Sequence, residues 1–361
     1  MSLKSFFDAD RVAAIAAGIQ AVHPPFPVQR FVALATDGLE ARELLDRGQH
    51  IAAALAQTLP AHVPAALDIL TRAAGPPLAS LEGNGMAPFF YLPHVTYIAH
   101  HGLACVPEAL AAQEVLTQRF SCEFSIRPFL AQAWGQTLPQ LQRWARDPRP
   151  LVRRLVSEGS RPRLPWARRL QVEDPAAIEA LLDLLVDDES SDVRRSVANH
   201  LGDIGKDDPE RAVAIAARWL AADPARRPTL QHGLRDLIKK AHPGALALLG
   251  GGEAPQVTVS AAIPPTATIG DRLSLTVSVT AQAAQSLVID LVVHFVKARG
   301  ATAPKVFKLG VRALSAGETV LLHKTLSLAQ HSTRTHHPGL HPVAVQVNGV
   351  RYPVGAFSLS A

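Results

Sequence analysis

The chain of 361 residues has two cysteines, two methionines and only 5% aromatic side chains. Two thiols, Cys105 and Cys122, cannot build a disulfide framework and by themselves cannot make a zinc site. They suit a reducing cytoplasm and are expected to serve as small apolar residues. Nowhere does an apolar run reach the roughly 18–20 residues that cross a membrane. The opening MSLKSFFDADRVAAIAAGIQ lacks the continuous apolar stretch and small-residue cleavage site of a secretory leader. At 48% apolar and 19% charged, the composition excludes a disordered chain. Two or three globular domains in the cytoplasm are expected.

Net charge is weak, +5, but unevenly spread. Residues 256–361 hold nine Lys/Arg against three acids, net +6. Arg143–Arg169 holds nine Arg against two acids, net +7, which leaves about −8 for the rest of the first 255 residues. A cluster plus a basic C-terminal region fits an acidic polymer held along a track, such as nucleic acid. A solvated basic face is the plainer alternative.

The first 250 residues are rich in Ala, Leu, Glu and Arg, with apolar residues at helical spacing and Pro/Gly punctuation at 23–27, 72–79 and 146–150. Leu141–Leu155 and Leu182–Ser196 repeat one pattern: an Asp-containing turn, then Val-Arg-Arg, with Val152 and Val193 spaced 41 residues apart. A fainter unit is expected around Leu234–Leu237. Helix pairs of about 35–45 residues with this signature predict a HEAT-type solenoid. Beyond Leu249-Gly-Gly-Gly-Glu-Ala-Pro255 the pattern changes to period-2 runs at 256–263, 273–280, 288–295, 320–328 and 341–347. About seven antiparallel strands in this length predict an immunoglobulin-like sandwich without an inter-sheet disulfide. The chain is thus expected to be multidomain: an all-α HEAT-like repeat solenoid over 1–249, a Gly-rich linker at 250–255, and a small all-β sandwich over 256–361.

Chemistry concentrates between Phe120 and Asp208. Arg154 and Glu158 lie four residues apart and so share a helix face, as do Arg195, Asn199 and Asp203. Two such helices side by side would bring Glu158 and Asp203 together among arginines. Carboxylates repel a phosphate track, so they need another purpose. They could brace the arginines, as Asp/Arg ladders do between helical repeats. They could also stabilise positive charge developing on a sugar as a glycosidic bond breaks.

Three strings are long and unusual: SCEFSIRPF (121–129), SEGSRPRLPWA (157–167) and VRRSVANHLGDIGKD (193–207). With these, the chain resembles the AlkC family of bacterial alkylpurine DNA glycosylases, relatives of AlkD. The resemblance covers about residues 1–245, and some members carry a C-terminal immunoglobulin-like domain. It implies excision of cationic lesions, chiefly 3-methyladenine and 3-methylcytosine, from double-stranded DNA, without conventional base flipping. It assigns Glu123, Glu158 and Asp203 as catalytic carboxylates and Trp166 as an aromatic near the deoxyribose. It further offers Arg153, Arg154, Arg161, Arg163, Arg194, Asn199 and His200 for phosphate or sugar. No lyase step, metal or other cofactor is expected, and the protein is expected to act as a monomer at the bacterial nucleoid. For the sandwich, the polar segment 330–341, with Arg334 and four His, is the candidate DNA contact. The rival readings are a non-enzymatic repeat scaffold and a DNA-structure binder that does not excise.

Overall fold

The structure, a computed structural model, describes residues 3–78, 83–330 and 335–361. It divides into two compact units, Met1–Asp203 and Ile204–Ala361. No helix among the described residues is long and apolar enough to cross a membrane.

The first unit is helical: α1 (Ala9–Val22), α2 (Val28–Thr36), α3 (Leu44–Thr58), α4 (Val63–Arg72), α5 (Leu92–His101), α6 (Val106–Leu116), α7 (Arg127–Gln132), α8 (Trp134–Trp144), α9 (Pro150–Gly159), α10 (Pro175–Leu185) and the larger part of α11 (Ser191–Asp207). Local chemistry sets the boundaries. The Asp174 side chain accepts from the backbone N–H groups of Ala176 and Ala177, and Pro175 opens α10, where no donor is needed. Val152, Leu155 and Val156 are all buried, as their spacing predicts. Val152 and Val193 occupy the third position of α9 and α11, so the repeated Val-Arg-Arg marks equivalent points on two helices.

The second unit opens with α12 (Pro209–Ala222), capped by Asp208, and the short α13 (Arg227–Gly233), α14 (Arg235–Lys239) and α15 (Pro243–Ala247). The faint third repeat around Leu234–Leu237 does not recreate a continuous helix, because α13 stops at Gly233 and α14 restarts at Arg235. Among the described residues eight strands follow: β1 (Val257–Ala262), β2 (Thr266–Thr268), β3 (Arg272–Ala281), β4 (Gln285–Val296), β5 (Thr302–Leu314), β6 (Thr319–Ser327), β7 (Gly339–Val347) and β8 (Val350–Ser360). They form one sheet in the order β1-β3-β6 and another in the order β2-β8-β7-β4-β5. All pairs are antiparallel except β2–β8. Leu275, Val277 and Val279 of β3 and Leu287, Ile289, Leu291 and Val293 of β4 build the core between the sheets. The β7–β8 turn is Asn348-Gly349, both at positive φ (44° and 86°), as a tight two-residue hairpin requires.

The glycine-rich junction is packed. A Cβ on Gly251 would lie 2.7 Å from Asn348 Oδ1, and one on Gly252 would lie 3.0 Å from the Ala247 side chain. Asn348 also donates to the carbonyls of Glu253 and Ser286, both at 3.2 Å. Glycine here permits close approach between backbone and hairpin.

Candidate active site

Helix α9 carries Arg154, Ser157 and Glu158, and Arg161 follows its end. Helix α11 carries Ser196, His200 and Asp203 at spacings of four and three residues. The two stripes meet. Arg161 joins them, with Nη1 donating to Glu158 Oε1 at 2.6 Å and Nε donating to Asp203 Oδ2 at 2.8 Å. On the other side, Arg154 lies 3.4 Å from Glu158 Oε2 and 3.4 Å from Glu123 Oε2. The result is an alternating chain, Glu123–Arg154–Glu158–Arg161–Asp203, in which three carboxylates face two guanidiniums and the net charge is −1.

Two devices bring Glu123 to this chain. Gly159 ends α9 where any Cβ would collide with the Ile126 side chain, so the Cys122–Ile126 turn can lie directly on the helix end. Arg127 then anchors the next loop. Its guanidinium donates to the carbonyls of Gly159 (3.2 Å), Arg161 (2.7 Å) and Arg168 (2.6 Å). Buried at 8% exposure, Arg127 fixes the segment bearing Arg161 and Trp166.

Access differs among the carboxylates. The side chains are 19% exposed at Glu123, 7% at Glu158 and 1% at Asp203. Burial pushes the Glu123 carboxyl above its usual range, with Arg154 opposing and Glu158 adding to the rise. Burial acts on Glu158 in the same sense. There Arg154, Arg161 and the Ser196 hydroxyl outweigh it and hold the carboxyl below its usual value. Glu158 is therefore anionic at neutral pH.

The other expected residues separate into groups. Arg154 and Arg161 are in the chain of ion pairs. Arg153 is buried and grips Asp188 with two bonds (2.6 and 2.9 Å), reaches Glu189 at 3.1 Å and donates to the carbonyls of Asp147 and Pro148. It therefore braces two turns. Arg194 donates to the carbonyls of Asp188 and Glu189 at the same turn. His200 is buried, and burial pushes it down to about 4, so its ring is neutral and Nδ1–H donates to the Ser157 carbonyl at 3.0 Å. Asn199 and Arg163 are half-buried. Along α11 the line facing α9 is Ser196–His200–Asp203. Arg195, on the line expected from spacing, is exposed. Arg334 lies outside the described residues. Of the histidines around it, His336 and His341 pack against Phe295, and His341 stacks on Phe357.

Trp166 takes no part in the ion pairs. It is 67% exposed, with φ at 65°, a left-handed conformation that a tryptophan adopts only at a cost of about 1–3 kcal/mol. It lines an open groove with Leu3, Lys4, Glu43, Leu44, Leu45 and Asp46. An exposed, strained aromatic works against folding, and a ligand contact would justify it.

Over its whole length the chain is 36% identical to Pseudomonas fluorescens alkylpurine DNA glycosylase AlkC, solved bound to DNA containing an abasic site analog, with a TM-score of 0.89 and full coverage of both chains. The chain belongs to the AlkC family of alkylpurine DNA glycosylases. It is also 32% identical to the uncharacterized protein YhaZ of Bacillus subtilis (strain 168), across 96% of each chain. Residues 256–361 match the family model for the C-terminal Ig-like domain of YhaZ. In this AlkC-family chain the sandwich therefore coincides with the segment where the sequence turns to period-2 runs. Sequence reasoning missed Arg127, Ser157 and Ser196. Arg127 stands in the SIRPF string, and Ser196 lies four and seven residues before His200 and Asp203, on their face of α11.

Proposed function

We propose that this protein is a monofunctional DNA glycosylase that hydrolyses the N-glycosidic bond of cationic alkylated bases, chiefly 3-methyladenine and 3-methylcytosine, in duplex DNA. The observation that carries the proposal is the alternating chain Glu123–Arg154–Glu158–Arg161–Asp203, in a protein alike over its full length to a glycosylase bound to DNA. An N3-alkylated base is already a cation and departs neutral, so no general acid is needed. What the transition state needs is negative charge beside an oxocarbenium-like sugar and an oriented water. Glu123 and Glu158 supply that charge, and Glu123 is the more open to substrate. Asp203, sealed at 1% exposure, acts by holding Arg161. Trp166 adds cation–π attraction to the same sugar charge, on the order of 1–2 kcal/mol once desolvated.

The sugar is attacked with the lesion still in the duplex, so selectivity comes from the lability of the lesion and no base-sized pocket is required. Phosphate or sugar contacts fall to Arg154, Arg163 and Asn199 in the helical unit, since Arg161 is buried between Glu158 and Asp203, and to exposed cations of the immunoglobulin-like domain. A monomer on double-stranded DNA in the cytoplasm is the working form.

Release of free 3-methyladenine and 3-methylcytosine from methylated duplex DNA, measured by chromatography, tests this reading. Base release by the wild type is expected. A protein that binds the DNA yet releases neither base would leave the non-excising DNA-structure binder as the answer.

A further inference from the structure

A carboxylate accepts hydrogen bonds and donates none. Ser196 Oγ lies 2.6 Å from Glu158 Oε2, so the Ser196 proton points at Glu158. The Ser196 oxygen must then accept, and Ser157 Oγ stands 2.6 Å away to donate. The alternative acceptor for Ser157, the Arg154 carbonyl at 3.2 Å, is the weaker branch. All of this is buried: Ser157 is 0% exposed, Ser196 1% and Glu158 5%. His200 pins the Ser157 backbone from the other helix through the 3.0 Å bond to its carbonyl.

We propose that Ser196, oriented by Ser157, is a positioning residue that fixes the rotation of the Glu158 carboxylate and keeps it ready as an anion. The two guanidiniums alone do not fix it. They pull on different oxygens from opposite sides, and Arg154 does so only at 3.4 Å. Ser196 adds the short third bond, on the oxygen that Arg154 holds loosely. That bond favours the charged form of the acid, so losing it raises the pH at which Glu158 takes up a proton.

The inference rests on the glycosylase reading for its kinetic readout only. Single-turnover excision of 3-methyladenine by Ser196→Ala is expected to fall about 10- to 100-fold with DNA affinity unchanged, and the acid limb of the rate profile to move to higher pH. Ser157→Ala is expected to move both readouts less and in the same direction. The double variant should be no worse than Ser196→Ala, because Ser157 acts only through Ser196. Two serines that served packing alone would add, and would leave the acid limb in place. Wild-type rate and pH profile in Ser196→Ala would overturn the proposal. If Ser196→Ala does not fold, an unshifted acid limb in Ser157→Ala would do so. Should the wild type release no base, the functional reading fails alone. The Glu158 carboxyl titration followed by NMR in the full-length chain then decides, since an unchanged titration in Ser196→Ala overturns the proposal.

Discussion

The two units place their charges in opposite ways. In Met1–Asp203 a set of charged groups is turned inward: Arg127, Arg153 and Arg161 are at most 8% exposed and bond to carboxylates or carbonyls, while Arg143, Arg146, Arg168 and Arg169 stay exposed. In the sandwich the core is aliphatic, and Arg272, Lys297, Arg299, Lys308, Arg312 and Arg351 are exposed. One buried acid, Asp290 on β4, is the exception. Buried, paired charges fix geometry at a folding cost, whereas exposed ones act at a distance and are screened by salt. The helical unit thus fixes the geometry of its inner charges, and the sandwich leaves its cations open to solvent.

The largest expected effect lies in the buried chain of charges. Glu158→Gln should lower single-turnover excision by about 10²–10³-fold, the usual consequence of removing one preorganised stabiliser of developing charge. Binding to DNA with an abasic analogue should persist. Excision at the wild-type rate by this variant would remove the chemical distinction between the units.

Next is stability against pH, for which the units should move in opposite directions. Burial holds His94 and His200 at about 4, below the usual 6.5. The unfolded chain binds their protons first, so stability of the helical unit is complete above pH 6.5 and is lost as pH falls toward 4. Burial instead pushes Asp290 up to about 6 from 3.8, with Lys239 and Lys308 opposing. The folded form holds this proton more tightly, so Asp290 adds stability to the second unit as pH falls from 6 to 4, opposed by His341, which burial holds below its usual value. Asp290→Asn should therefore stabilise it at pH 8 by up to about 3 kcal/mol and not at pH 4. Hydrogen exchange resolved by segment would read both trends, and parallel trends would break the comparison.

A smaller effect separates folding from function at Trp166. Trp166→Gly should stabilise the fold by about 1 kcal/mol by relieving the left-handed backbone. It should also slow excision about tenfold, since the cation–π attraction goes with the ring. Thermal melts and single-turnover rates measure the two sides, and a decline in both would make the tryptophan a packing residue. The smallest expected change is at the sandwich surface. Replacing exposed Lys297 and Arg299 with Ser should reduce the slope of log affinity against log salt by about one for each phosphate no longer neutralised, with the rate on saturating DNA unchanged. An unaltered slope would take the β4–β5 turn off the DNA.

Much of this was legible because local rules and global fold agree. The Pro/Gly punctuation at 23–27 and 146–150 and the change to period-2 patterning fall at observed boundaries, and Val-Arg-Arg takes the same register in α9 and α11. The Arg154–Glu158 pair follows from helical spacing alone. Helical spacing says which residues share a face but not which face turns inward. Arg153 and His200, which the resemblance offers as DNA contacts, are buried against Asp188 and the Ser157 carbonyl, and Arg194 is half-buried, with Nη1 on the carbonyls of Asp188 and Glu189. Ser196 and Arg127 carry no charge pattern that announces them, because one works by a single hydroxyl and the other by bonding to carbonyls 32 to 41 residues away. The parallel β2–β8 pair is three residues long, too short for any periodic signal.

The packed glycine junction bears on how such a protein could be assembled by recombination. A sandwich joined by a loose tether could be exchanged as a cassette, cut at the glycines. Here the Asn348-Gly349 hairpin lies against the junction, and a Cβ on Gly349 would come within 2.9 Å of Ala241 and 3.1 Å of Leu246. Gln346 reaches the Lys239 carbonyl at 3.5 Å. Swapping residues 256–361 alone would leave these helix residues against a foreign surface. An exchange that keeps these contacts would carry the segment from Lys239 onward together with the sandwich.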